Sequence, residues 1–246
     1  DDGSTDGTGN ILKNIKNKVK VIHHKINRGY GAAIKTGINH AGNAYVVITD
    51  ADGTYPNEEI PGLIKAIKGY SMVVGARVGK TVRIPIIRKP AKWFLQKLAN
   101  YLTEFNIPDL NSGLRIMKKD IVEKYLHLLP EGFSLTTTIT IAMLCDGHKV
   151  KYTPINYHQR KGKSKIRPIQ DTFNFFLLII RTVLYFNPLK VFMPVSLIFI
   201  ITSVFMIFYR LFVAQSFGIA SIVLFITGIQ LFAMGMIADL INKKLK

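Results

Sequence analysis

The sequence predicts an α/β layered domain followed by membrane-inserted helices, and three observations carry that expectation. Short β-branched or apolar runs alternate with helical segments up to about Lys165, the pattern of strands and helices stacked in layers. From Thr172 onward the chain turns apolar, and Val191 to Val213 and Phe217 to Ile241 are each long enough to cross a hydrocarbon core of ~30 Å as a helix. The formal charge of +18 over 246 residues is gathered partly at the flanks of that apolar region.

The opening Asp1 to Thr8 (DDGSTDGT) has turn chemistry, with glycines for positive φ and Asp and Ser for side-chain to backbone bonds. It reads as a surface loop or as a nucleotide-binding loop with carboxylates for base or ribose, Thr5 or Asp6 capping the helix that follows. Val19 to His23 is a short β-branched run and is expected to be a strand. Gly31 to Ala41 reads as a helix, and Tyr45 to Thr49 (YVVIT) is a continuous apolar run of the kind buried in a parallel sheet. Pro56 and Asn57 announce a helix over Glu58 to Lys68, and Ser71 to Gly75 is a further buried strand. Apolar spacing predicts helices over Trp93 to Thr103, Asp120 to Leu129 and Phe133 to Leu144, then a strand over Lys149 to Tyr157. Thr172 to Tyr185, aromatic, apolar and interrupted by Arg181, fits an amphipathic helix lying in a membrane interface and ended by Asn187 and Pro188.

A charge this positive suits nucleic acid or anionic lipid and phosphorylated ligands, and the apolar segments favour the second, with no nucleic-acid partner. Arg160, Lys161, Lys163, Lys165 and Arg167 precede the apolar region, and Lys243, Lys244 and Lys246 close it. Positive charge stays on the cytoplasmic side, so two spans joined by a short outer turn around Ala214 to Ser216 place both clusters, and the soluble domain, in the cytoplasm of a multi-pass cell-membrane protein. Arg210, near a helix end, can snorkel to the interface. The single Cys145 cannot form an internal disulfide, fits a reducing compartment and is expected to be a small buried apolar residue. His23, His24, His127 and His148 match no metal or catalytic spacing and are expected to be structural or exposed.

Asp50 and Asp52 directly follow the YVVIT strand, at its carboxyl end, where open α/β sheets bind ligands. Two carboxylates so spaced can converge on one hard divalent cation that in turn holds phosphate oxygens; a solvated Asx turn is the plain alternative. Arginines at Arg77, Arg88 and Arg160 have a fixed charge and a donor fork that fits phosphate, and each could equally be a solvated surface charge.

In order and spacing, DDGSTDGT, NRGYGAAIKTG from Asn27, DADGTYP from Asp50, VVGAR ending at Arg77, DLNSGLR from Asp109 and RKGKSKIRP from Arg160 resemble a family 2 glycosyltransferase of the GT-A fold. The likeness is greatest to dolichyl-phosphate mannose synthases and related polyprenyl-phosphate glycosyltransferases. It implies a Rossmann-like nucleotide-sugar domain over residues 1–168, an interfacial helix region over 169–190 and a two-helix transmembrane anchor over 191–246. Family members place an apolar strand and a short loop before the first motif, so the expectation is an N-terminally truncated fragment with an exposed sheet edge.

Carried over residue by residue, the resemblance implies that Asp1 and Asp2 contact the nucleotide, with Asn27, Gly29 and Ser164 in the donor-binding set. Asp50 and Asp52 would serve the ribose and the diphosphate bound to Mg²⁺ or Mn²⁺; Arg77, Arg88 and Arg160 would bind phosphates; Asp109 and Ser112 match a motif near the donor pocket. Two positions depart from the pattern: Thr54 stands where a Gln often helps hold the metal, and Lys92 where relatives have a Ser.

The implied reaction moves a sugar from a nucleotide-sugar of GDP-mannose or UDP-glucose type to a polyprenyl phosphate with inversion. A phosphate monoester with a second pKa near ~6 is largely ionised at neutral pH and needs no general base. The alternatives are a non-catalytic nucleotide- or lipid-binding module and a transferase with a sugar acceptor.

Overall fold

The structure, a computed structural model, describes residues 1–77, 89–132, 134–158, 168–214 and 218–245. Contacts divide the chain into two compact units, Asp1–Ile179 and Ile180–Lys246.

The first unit is built on a mixed four-stranded sheet, β1 (Tyr45–Ile48), β2 (Met72–Arg77), β3 (Arg115–Lys118) and β4 (Val150–Ile155), in the order β1-β3-β2-β4. β3 runs antiparallel to both neighbours, with Arg115 opposite Ile48 of β1 and Val74 of β2, while β2 and β4 are parallel from Met72↔Val150 to Arg77↔Ile155. The start of β3 therefore lies at the carboxyl ends of β1 and β2.

Helices α1 (Thr8–Ile15), α2 (Tyr30–His40), α3 (Ile60–Ala66), α4 (Lys89–Thr103), α5 (Lys119–Tyr125), α6 (Leu135–Cys145) and α7 (Pro168–Phe186) are interspersed with the strands along the chain, and the division between the units falls within α7. One core cluster joins Leu63 of α3 and Ile67, the residue that caps it, to Val73, Leu114, Ile116, Ile155 and Tyr55. α6 is buried continuously from Leu135 to Met143, as expected of a core helix apolar on all sides. Its threonines tolerate burial because Thr138 and Thr140 donate back to the carbonyls of Ser134 and Thr136.

Several expectations need correction. Val19 to His23 is not a strand; the Asp1 nitrogen donates to the Ile22 carbonyl and the His24 amide to the Asp1 carbonyl, a contact too short to make a ladder. The YVVIT run is antiparallel, not parallel, and its exposure alternates from Tyr45 outward to Val46 inward, as suits a strand with one covered face. The β3 strand is not legible in the sequence: Ile116 and Met117, flanked by Arg115 and Lys118, carry no period. The helix at Asp120 stops at Tyr125, the one at Glu58 begins with a 3-10 turn over Asn57–Glu59, and Cys145 is half-buried rather than buried. The residue preceding α1 is Gly7 at φ 87, with no side-chain cap, although the Asp6 carboxylate accepts from the Thr8 amide at 3.2 Å and hydroxyl at 2.6 Å.

The second unit is a helical hairpin. α8 (Leu189–Tyr209) continues into a π-turn over Arg210–Ala214, and α9 (Ile219–Leu245) returns. The stretches Leu189–Val213 and Ile219–Lys244 are long and apolar enough to cross a membrane, with only 11% and 17% of their most apolar windows buried. Small residues line the seam: Ser196 donates to the Gly228 carbonyl at 2.8 Å and Ser203 to the Ser221 carbonyl at 2.6 Å. A Cβ on Gly228 would lie 2.6 Å from Ile200 Cγ1, and one on Gly235 2.7 Å from Phe192 Cβ. Ser221, Gly228, Gly235 and Asn242 recur at seven-residue intervals, which keeps the seam on one face. Asn242 closes it by donating to the Phe186 carbonyl at 2.7 Å.

Gly228→Ile is expected to splay the hairpin and lower its stability by about 1–3 kcal/mol, whereas Ile226→Leu on the exposed face leaves it unchanged. Detergent-titrated unfolding of the full chain, followed by circular dichroism, measures the difference.

Candidate functional site

The turn between the end of β1 and the 3-10 segment carries Asp50 and Asp52. Asp50 is half-buried, and the Tyr30 hydroxyl points to its Oδ1 at 3.4 Å. Burial and then the Asp50 charge raise the Tyr30 pKa, so the phenol stays protonated as a donor. On its other side the carboxylate rests against Gly113, where an added Cβ would come within 2.9 Å of Oδ2 and 3.0 Å of Oδ1. Asp52 is exposed, and its Oδ1 accepts from both the amide (3.1 Å) and the hydroxyl (2.6 Å) of buried Thr54. Thr54 thus grips Asp52 with two donors.

The 109–113 turn leads into β3 and meets both strand ends. Asp109 accepts Arg77 Nε at 2.7 Å and Nη2 at 2.8 Å, and the Arg77 amide at 3.1 Å, a bidentate pair with the guanidinium 5.4 Å over the Tyr157 ring. Burial pushes the Asp109 carboxyl up, but the Arg77 fork and charge outweigh it and hold the pKa below the ordinary carboxylate range. Ser112, fully buried, donates to the Gly75 carbonyl, and the Gly113 amide donates to the Tyr55 hydroxyl at 2.6 Å. Arg77 and Ser112 are therefore engaged by the protein itself.

The opening loop is fastened by its own carboxylates. Asp2 accepts the amides of Arg28 at 2.9 Å and Gly29 at 2.7 Å, and pairs with His24 Nδ1 at 2.7 Å, while His24 Nε2 reaches the Thr36 hydroxyl at 2.9 Å. Desolvation raises the Asp2 pKa, and those amides with His24 overcome it to leave a net lowering. Asp1 pairs with His23 Nδ1 at 2.8 Å. Gly29 must be glycine: its φ is 103 and a Cβ would lie 2.7 Å from the Glu131 carbonyl oxygen. Asn27 is exposed, its amide nitrogen 2.8 Å from where a Cβ on Gly3 would stand. A cleft of about 180 Å³ opens beside Asp1, lined by Lys20, Ile22, His24, Ala33, Thr36 and Gly37.

The structure thus brings Asp50, Asp109, Ser112 and Arg77 to one end of the sheet with Asp52 on the adjoining turn. Arg88, Arg160, Ser164 and the side chain of Lys92 lie outside the described residues. Sequence reading missed Tyr30, Tyr55 and Thr54's hydrogen bonds, and Arg115; NRGYG and DGTYP held the tyrosines inside motifs whose glycines and carboxylates drew the attention. No group of three or more His, Cys, Asp or Glu gathers as a metal site among the described residues. Two hard carboxylates, one of them exposed, fit a divalent cation that takes its remaining ligands from a bound diphosphate and water, not a closed protein cage.

The sequence signature described as Glycosyl transferase family 2 matches residues 1–126, and that of the GtrB C-terminal hairpin matches residues 187–243. The chain belongs to glycosyl transferase family 2. It is 30% identical over 169 residues to a dolichyl-phosphate hexose transferase of Haloferax volcanii, covering 68% of this chain and 72% of that protein. It is 30% identical over 183 residues to a polyprenol monophosphomannose synthase of Mycolicibacterium smegmatis, covering 68% of each. Among solved structures, glucosyl-3-phosphoglycerate synthase of Mycobacterium tuberculosis with uridine diphosphate shares the fold at a TM-score of 0.55 and 16% identity, over 74% of this chain and 66% of that one.

Asp109 contributes stability that is present above its unfolded pKa of ~3.9 and lost as pH falls through the lower folded value. Asp109→Asn is expected to cost about 2 kcal/mol at pH 7, less than the ~3–5 kcal/mol of a fully buried pair because Arg77 keeps 23% side-chain exposure. Urea unfolding between pH 7 and pH 3 should show the gap between the two proteins closing on the acid side.

Proposed function

We propose that the chain is an inverting, metal-dependent transferase that moves a hexose from a nucleoside-diphosphate sugar to a polyprenyl phosphate at the cytoplasmic face of a membrane. The observation that carries this reading is the placement of Asp50 and Asp52 at the carboxyl end of β1, braced by the 109–113 turn and Thr54. The relatives' polyprenyl-phosphate names and the apolar hairpin support the acceptor and the membrane setting. The basic flanks support the orientation.

Asp52 and Asp50 would hold Mg²⁺ or Mn²⁺, which when bound supplies Lewis-acid neutralisation of diphosphate charge. In the displacement, the bond between the anomeric carbon and the diphosphate oxygen breaks as a phosphate oxygen of the acceptor bonds to the opposite face of that carbon. The nucleoside diphosphate leaves with the electron pair, and the anomeric centre inverts. The acceptor oxygen is already ionised, so no side chain has to remove a proton. Tyr30 donates toward Asp50 and fixes one of its oxygens, and Thr54 does the same for Asp52 with two donors. Arg77 acts in this scheme by setting the end of β2 through Asp109, and Arg88 and Arg160 take the phosphate contacts. The segments 1–168, 169–190 and 191–246 serve as catalytic domain, interfacial region and anchor, holding the acceptor phosphate at headgroup depth while its chain stays in the bilayer.

Assay of a version in lipid, with polyprenyl phosphate and radiolabelled GDP- and UDP-sugars, tests the reading. Label is expected in the lipid phase only with Mg²⁺ or Mn²⁺, falling ~100-fold or more in Asp52→Asn; absence of transfer from every donor with nucleotide binding intact would sink it. Thr54→Val is expected to weaken Mn²⁺ affinity ~10-fold and Thr54→Ser much less, measured by titration against the nucleoside diphosphate complex.

A further inference from the structure

Arg115 opens β3 and is fully buried, yet each acceptor it reaches among the described residues is neutral. Nε donates to the Ser112 carbonyl at 3.2 Å and Nη2 donates to the same oxygen; Nη1 reaches the Thr136 carbonyl at 3.0 Å and the Thr140 hydroxyl at 3.1 Å, with Met72 Sδ at 3.8 Å. A buried cation held this way is a poor device for stability alone, since apolar side chains of similar volume often replace buried charges without loss. Its geometry has a different use. Two donors on one carbonyl fix the position of Ser112, and α6 fixes the guanidinium in turn.

Ser112 lies in the turn that meets the site. One residue on, Gly113 gives its amide to Tyr55 and its bare α-carbon to the Asp50 carboxylate. On the other side, Asn111 accepts the Thr137 hydroxyl of α6, and Asp109 holds the Arg77 fork. The Ser112 hydroxyl itself ties the turn to Gly75 of β2. A displacement of the Ser112 carbonyl would therefore shift the surface against which Asp50 is seated.

We propose that Arg115 is a positioning residue for the donor site, acting through the Ser112 carbonyl to hold the 109–113 turn against Asp50. The inference rests on the reading of Asp50 and Asp52 as the diphosphate site. It follows that the planar fork matters and charge alone does not suffice: lysine carries the charge but cannot place two donors on one oxygen while reaching α6. It also follows that Gly113→Ala mimics the loss of Arg115 from the opposite side, because its Cβ meets both Asp50 oxygens at about contact-breaking distance.

The test uses the full chain in lipid nanodiscs, titrating Mn²⁺ with UDP and with GDP by calorimetry, then measuring donor and acceptor KM separately. Arg115→Lys, Arg115→Met and Gly113→Ala, each checked for folding by circular dichroism, are expected to weaken Mn²⁺–nucleoside diphosphate binding ~10-fold and raise donor KM in step, with polyprenyl-phosphate KM unchanged. Arg115→Lys should be no better than Arg115→Met. Folded Arg115 variants that bind like the wild type, or a lysine variant that restores binding, overturn the proposal. If neither Arg115 variant folds, Gly113→Ala decides it: wild-type Mn²⁺ affinity there overturns it, and a loss confined to donor terms upholds it. A wild-type chain that binds neither nucleoside diphosphate overturns the donor-site reading itself, and the inference with it.

Discussion

The insertion of β3 antiparallel between β1 and β2 is the constraint on which the site depends. Because Arg115 pairs opposite both Ile48 and Val74, the turn that feeds β3 must emerge where the two neighbouring strands end. Asp50 follows one of those ends and Arg77 closes the other, so a single turn can brace a carboxylate on its left and capture a guanidinium on its right. A parallel β3 would have delivered its preceding loop to the far edge of the sheet and left both strand exits without support.

Charge at this end of the sheet is held by specific short contacts. Arg77 and Asp109 neutralise each other through two short bonds, and Arg115 lies deeper among carbonyls and hydroxyls. Asp50 is met by the Tyr30 hydroxyl and Asp52 by the Thr54 hydroxyl.

Much of this was legible in the sequence, and what was not has identifiable causes. The alternation of strands and helices, the two long apolar segments and the motif order announced the architecture, since each is a local pattern. Strand direction is not local: YVVIT has the composition of a parallel strand, and only its pairing with a strand too short to show a period makes it antiparallel. Arg77 could be picked out as a cation but not as one already occupied, because Asp109 is 32 residues away in the chain. Arg115 was invisible for a related reason: an arginine at the end of a motif reads as surface charge until the packing of α6 over it is known. Thr54, noted as a departure from the family pattern, proves to grip Asp52 directly, so the substitution alters how the carboxylate is supported and does not leave the position idle.

The hairpin's seam has a consequence for how the chain meets a bilayer. Serine hydroxyls bond to carbonyls of the facing helix at two heights, Ser196 to Gly228 and Ser203 to Ser221, so the helices cannot slide past one another along their axes. In the membrane setting proposed above, leaning the pair as one rod would answer a change of bilayer thickness while keeping both bonds, whereas sliding would break both at once.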